Sequence, residues 1–216
     1  MTFRRVATLF AALTLPFGTA KALNWNELTP GYGDLSGDGN SPTSILFSNG
    51  SNLIEGTMGR LDGIGTIDAD AWTFTIDAGY YLTGINLVSY SDLNTTPGAL
   101  GATYSFMAIQ TGSTISMSDP LQHLSNGLWN EQSPDGGATT FTNLMNILLT
   151  PQFSSNPSET FTSPLGSGTY TFWVQETTAQ ISYCIDFVVT PVPEPGSAVL
   201  LAAAGILMMI RRRSRL

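Results

Sequence analysis

The stretch "GTYTFWVQETTAQISYCIDFVV", residues 168–189, decides the fold. In its first half Tyr170, Phe172 and Val174 fall at every second position. In its second half Ile181, Tyr183, Ile185, Phe187 and Val189 do the same. A period of two places alternate side chains on one face of an extended chain, so each half reads as a strand with one buried face. The polar segment between them is a turn.

The same pattern recurs upstream. Trp72, Phe74 and Ile76 share a face, Asp77-Ala78-Gly79 follows as a turn, and a strand from Tyr81 to about Tyr90 carries Ile85 and Leu87 on one side. Tyr104, Phe106 and Ala108 alternate as well. Short alternating runs with polar opposite faces predict an all-β body of two antiparallel sheets packed face to face. Residues 140–153 break the pattern: Phe141, Leu144, Met145, Leu148 and Leu149 fit helical spacing and predict a short helix or an irregular crossover. Residues 110–137, rich in Ser, Gly, Asp and Asn, read as long loops.

Both ends of the chain differ from this body. Arg4 and Arg5 precede an apolar stretch, Val6 to Gly18, and Ala20 and Ala22 flank Lys21, the layout of an export leader over residues 1–22. The body then runs from residue 23 to 190. Residues 191–196 form a proline-rich linker. Residues 197–210 are apolar throughout, with no polar side chain larger than serine. As a helix they reach about 21 Å, against a hydrocarbon core of about 30 Å, and predict a short transmembrane helix. The last segment, 211–216, is basic, and Arg211, Arg212 and Arg213 act as a stop-transfer cluster held in the cytoplasm.

The charge is lopsided. The chain has 8 basic and 16 acidic residues, yet Arg60 is the only base between residues 23 and 190. An acidic surface of this kind repels phosphate backbones, which argues against nucleic acid as a partner. Cys184 is the single cysteine, so no intramolecular disulfide forms.

"VPEPGSAVLLAAAGILMMIRRR", residues 192–213, resembles the PEP-CTERM sorting signal of Gram-negative bacteria: Pro193-Glu194-Pro195, a short apolar helix and terminal arginines in order. The resemblance implies recognition by exosortase, a membrane cysteine transpeptidase. It also implies an inner-membrane-anchored precursor that is released or transferred to the cell surface or extracellular polysaccharide matrix. The body, in "GDLSGDGNSPTSILFSNGSNLIEGTM" (33–58), "DADAWTFTIDAGYYLTGINLVSY" (68–90) and "LGSGTYTFWVQE" (165–176), resembles the bacterial pre-peptidase C-terminal domain. That resemblance implies a jelly-roll-like β-sandwich serving secretion or attachment. The expected protein is a non-catalytic structural or binding component of the envelope or its polysaccharide.

The chemistry-bearing residues are few. His123 is the only histidine and reads as a solvated loop residue with no nucleophile motif beside it. No lysine remains after the leader, which excludes P-loop and Schiff-base mechanisms. Carboxylates remain, and the alternative reading is a secreted carbohydrate-active enzyme using two of them. In "DLSGDGNSPTSI" (34–45), Asp34, Ser36, Asp38, Gly39 and Asn40 match a calcium loop, but Ile45 stands where its bidentate Glu is needed. Asp34 with Asp38, or Asp68 with Asp70 by their spacing of two, are the candidate calcium ligands. Calcium is the one cofactor the sequence points to, and turn-forming Asp, Gly and Asn explain the same residues without it.

Overall fold

The computed structural model describes residues 23–97, 104–129 and 142–192. The leader, Pro193-Glu194-Pro195, the apolar run and the Arg-rich end lie outside the described residues. The described body is all-β, a sandwich of two five-stranded sheets. The first is ordered β1 (Leu23–Asn26), β3 (Gly50–Gly59), β10 (Gln180–Pro191), β5 (Tyr80–Asp92), β8 (Thr142–Asn143). The second is ordered β2 (Thr43–Ser44), β4 (Ala69–Ile76), β9 (Gly168–Gln175), β6 (Ser105–Thr111), β7 (Ser125–Trp129). Between consecutive strands the chain changes sheet at every connection except β6 to β7.

That habit corrects the expected antiparallel arrangement. The sheets are mixed, because β1 pairs with β3, and β2 with β4, in parallel. Parallel neighbours need a crossover connection rather than a hairpin, and a chain that visits the opposite sheet between two strands supplies one. The inner strands do pair antiparallel, β10 with both β3 and β5, and β9 with both β4 and β6.

The alternating rows fill the space between the sheets. Ile181, Tyr183, Ile185, Phe187 and Val189 of β10 are buried, as are Trp72, Phe74 and Ile76 of β4 and Tyr170, Phe172 and Val174 of β9. On β6 the inward residues are Met107 and Ile109. Phe106 and Ala108, the pair read from alternation, pack instead on the outer face against Trp173, Ile115 and Met117. This outer face is covered by the segment after β6, so both of its rows are apolar and alternation could not tell them apart. That segment also contains β7, which had read as loop. Residues 142–149 form β8 and the single turn of helix α1 (Met145–Leu148), with Leu144, Met145 and Leu148 buried. Among the described residues no helix is long and apolar enough to cross a membrane.

Phe187 is the densest junction. Its ring lies 5.2–5.9 Å from those of Phe47, Trp72, Phe74 and Phe172, centroid to centroid. Trp72, Phe74 and Phe172 come from the opposite sheet. Phe187→Ala would leave a cavity where the sheets meet, and the expected cost is about 3–5 kcal/mol. The midpoint of urea-induced unfolding, followed by tryptophan fluorescence, measures it, and Phe187→Leu should fall between the two.

Candidate functional site

The candidate site lies where the N-terminal segment reaches the start of β4. The row Trp72, Phe74, Ile76 extends backward by its period of two to Asp70 and Asp68, so a strand that buries tryptophan at one position carries a carboxylate inward at the preceding one. Asp70 is fully buried. Across the sandwich the β10 row supplies Tyr183, whose hydroxyl donates to Asp70 Oδ2 at 2.7 Å.

The N-terminal segment brings two more acids. After β1, Thr29 N–H donates to the Asn26 carbonyl and Tyr32 N–H to that of Thr29. Gly31 (φ 104°) and Gly33 (φ 76°) take left-handed conformations that other residues adopt only under strain. The loop is then pinned by the buried Leu35 and by Ala71 N–H donating to the Ser36 carbonyl at 2.8 Å. Asp34 is thereby set beside β4. Glu27 turns inward, its Oε1 accepting from Leu35 N–H at 3.0 Å and its Oε2 from Thr57 N–H at 2.8 Å. One oxygen each of Glu27, Asp34 and Asp70 lies within 4.8 Å of the others.

Gly56 makes the room. It sits on the inward row of β3, opposite Tyr183 in the ladder. A Cβ there would lie 2.7 Å from the Tyr183 hydroxyl and 3.0 Å from Glu27 Cδ. Any larger residue would fill the space between the acid and the phenol.

Burial governs the protonation of these groups. It pushes the Glu27 carboxyl up to about 7, against the lowering effect of its two backbone donors. It pushes Asp68 up to about 6, with the charge of Asp34 adding to it. Asp70 is raised well above the usual carboxylate range, by burial first and by Glu27 second, although the Tyr183 hydrogen bond opposes this. Four buried indole N–H groups among the described residues, of Trp25, Trp72, Trp129 and Trp173, lack a partner, whereas the buried amide of Asn52 donates to the carbonyls of Ser48, Gly50 and Phe187 and accepts from Ser48 N–H. Asp70 Oδ1 is different. Among the described residues it is the one buried carboxylate oxygen with no hydrogen-bond partner.

Of the four sequence-derived candidates, Asp34 and Asp70 thus come together, and Asp68 is close enough for their charges to couple. Asp38 does not join them. Its Oδ1 accepts from Asn40 N–H at 2.9 Å and from Asn40 Nδ2 at 3.2 Å, a turn-stabilising role. Glu27 was missed, since a lone Glu in "NWNELTPGYGD" carries no local signal and is brought in only by the parallel pairing of β1.

The other reactive side chains are placed away from this cluster. His123 is buried rather than solvated. Its Nε2 lies 2.6 Å from the Ser116 carbonyl oxygen and its ring packs near Phe106 and Trp173. Burial holds it below its ordinary pKa. Cys184 is buried, and its thiol is pushed up to about 12, which leaves little thiolate for reaction. Trp72, Trp129 and Trp173 are buried and ring no cleft. No protein-family model, curated protein or solved structure matches the chain.

The raised carboxyls give stability a definite pH dependence. The folded protein keeps a proton on Asp68 to about pH 6 and on Glu27 to about pH 7, whereas the unfolded chain releases them near 3.8 and 4.5. The folded state therefore binds more protons across this window, and stability falls as pH rises through it. In chelator, the urea midpoint should decline between about pH 4 and 7. Asp68→Asn should make that slope shallower up to about pH 6 and leave the contribution of Glu27; a mutant curve parallel to wild type would contradict the assignment.

Proposed function

We propose that the protein is an exported, surface-directed PEP-CTERM protein: a non-catalytic structural or binding component of the cell envelope or extracellular polysaccharide matrix, handed to exosortase through Pro193, Glu194 and Pro195. The leader, the body and the three-part C-terminal signal follow one another in the order this role requires. The observation that carries the reading is the place of β10. The strand leading toward the motif is the middle strand of its sheet, with a full ladder on each side, to β3 and to β5. Val192 N–H still donates to the Gly79 carbonyl at 2.7 Å. A body attached through its C-terminus bears load there, and a central strand resists withdrawal because two ladders must break together.

The jelly-roll-like character implied by the resemblance to the pre-peptidase C-terminal domain is supported by the repeated crossing between sheets. Trp72, Trp129 and Trp173 serve the core. Asp38, Asn40, Gln110, Thr114, Ser116 and Gln122 line a groove on the outer side of the second sheet. Its hydroxyl and amide groups suit a neutral polar polymer such as a polysaccharide better than a charged one.

Replacing Pro193, Glu194 and Pro195 together with alanine in the native host tests the sorting step. The uncut protein should accumulate in the inner membrane with its Arg-rich end intact, detected by mass spectrometry of the C-terminal peptide. If wild type and variant share the same intact end and the same location, the tail is a plain anchor and the reading fails.

A further inference from the structure

We propose that Glu27, Asp34 and Asp70 bind one calcium ion, which clips the N-terminal segment to the inward row of β4. The three carboxylates offer oxygens mutually within 4.8 Å. That is about the span of two calcium–oxygen bonds of 2.3–2.6 Å, so a single ion can touch all three.

Proximity of acids alone would not point to a ligand. The pointer is Asp70 Oδ1, which is buried and has no partner. A buried carboxylate oxygen without a donor is costly, and folded proteins rarely keep one unless something else occupies its lone pairs. Its other oxygen is already taken by Tyr183. Gly56 adds a second sign, because the inward row of β3 loses its side chain at the one position where a Cβ would crowd Tyr183 and Glu27.

Among the described residues no basic side chain plays the counter-ion. Arg60 is the only base from residue 23 to 192, and its Nε donates to the Thr177 carbonyl. Within the described body the positive charge is therefore not supplied by a side chain, and a bound cation can supply it. All the donors are hard oxygens, which suit calcium or magnesium over softer metals. Calcium fits better: magnesium demands near-ideal octahedral geometry, whereas calcium accepts irregular sets of six to eight oxygens. Asp34 is exposed, so water can complete the shell from that side. Glu27 keeps a free lone pair on each oxygen beyond the Leu35 and Thr57 bonds.

The ion would join three parts of the fold: Glu27 just after β1, Asp34 in the following loop, and Asp70 in the opposite sheet. It would fasten the segment that directly follows the expected leader. This inference does not rest on the sorting role and survives its failure.

The test uses the full chain, purified in detergent and stripped with EDTA. Calcium chloride alone is titrated by calorimetry, and terbium is titrated with excitation of tyrosine, since the Tyr183 hydroxyl sits on Asp70. The expected wild-type result is one saturable calcium site of about 10⁻⁴ to 10⁻³ M, the range of extracellular modules, and sensitised terbium emission that calcium displaces. Asp70→Asn should abolish it. Asp34→Asn, at an exposed loop position where folding is not at stake, should weaken it at least about tenfold, as loss of one charged ligand from a small set does. Asp38→Asn should bind as wild type. Three results overturn the proposal: no saturable binding up to about 10 mM calcium, unchanged binding in Asp34→Asn, or an equal loss in Asp38→Asn, which would mark diffuse attraction to an acidic surface. Magnesium binding as tight as calcium would overturn the choice of ion.

Discussion

The contact between the inward row of β10 and the opposite sheet is the constraint on which the rest depends. Phe187 wedges among Trp72, Phe74 and Phe172, and Tyr183, two pairs of residues away along the strand, meets the edge of Trp129 and the carboxylate of Asp70. Because β10 is hydrogen-bonded on both sides, fixing its row fixes β3 and β5 in register with it. A slip by one residue would turn every aromatic of the row outward. One strand therefore sets the facing of its whole sheet and the distance between the two sheets. Its apolar end makes the core, and its phenol end makes the floor of the acidic site.

Much of this was legible because alternation is a local signal. A strand with one wet face writes its burial into every second letter, which is why β4, β5, β9 and β10 could be read from residues 72–76, 81–90, 170–174 and 181–189. Where both faces are covered, the signal vanishes. Phe106 and Ala108 looked like the core row of β6, but Met107 and Ile109 occupy it, because the segment carrying Ile115 and Met117 folds back over the outer face. β7 was missed for a related reason: Ser125 and Asn126 are buried polar residues, held by the Leu148 and Ser154 carbonyls, and their letters suggest a loop. The parallel edges β1 and β2 could not be read at all, since the order of strands across two sheets depends on non-local packing.

The site was half legible for the same physical reason. The spacing of Asp68 and Asp70 ahead of Trp72 placed both on the row of that tryptophan, a statement about one strand. That the row points into the sandwich, and that a Glu lying 43 positions earlier in the chain meets it there, depends on β1 joining β3 and on Gly56 leaving space. Asp38 shows the converse error. Its calcium-loop spacing is real, but the geometry such spacing favours is also that of a turn in which the carboxylate caps its own backbone, and Asn40 claims it. His123 misled through composition: a histidine among Ser, Asp and Asn looked solvated, whereas the loop closes over Trp173 and buries it.

The acidic interior also follows from the charge of the chain as a whole. A buried carboxylate is ordinarily neutralised by an arginine or lysine, by a proton, or by a metal ion. With one base in the entire body, engaged elsewhere, the first route is closed to Glu27, Asp34 and Asp70. Protonation remains, and the raised values of Glu27 and Asp68 show how strongly the fold favours it. Yet a proton satisfies only one oxygen of one acid, and the fold still leaves Asp70 Oδ1 without a partner. A divalent cation satisfies several oxygens at once and removes the repulsion between them. The scarcity of basic residues in the body, read first as a statement about partners at the surface, is thus equally a statement about the interior: no base among the described residues neutralises the joint between the N-terminal segment and β4, which leaves that role open to a bound cation.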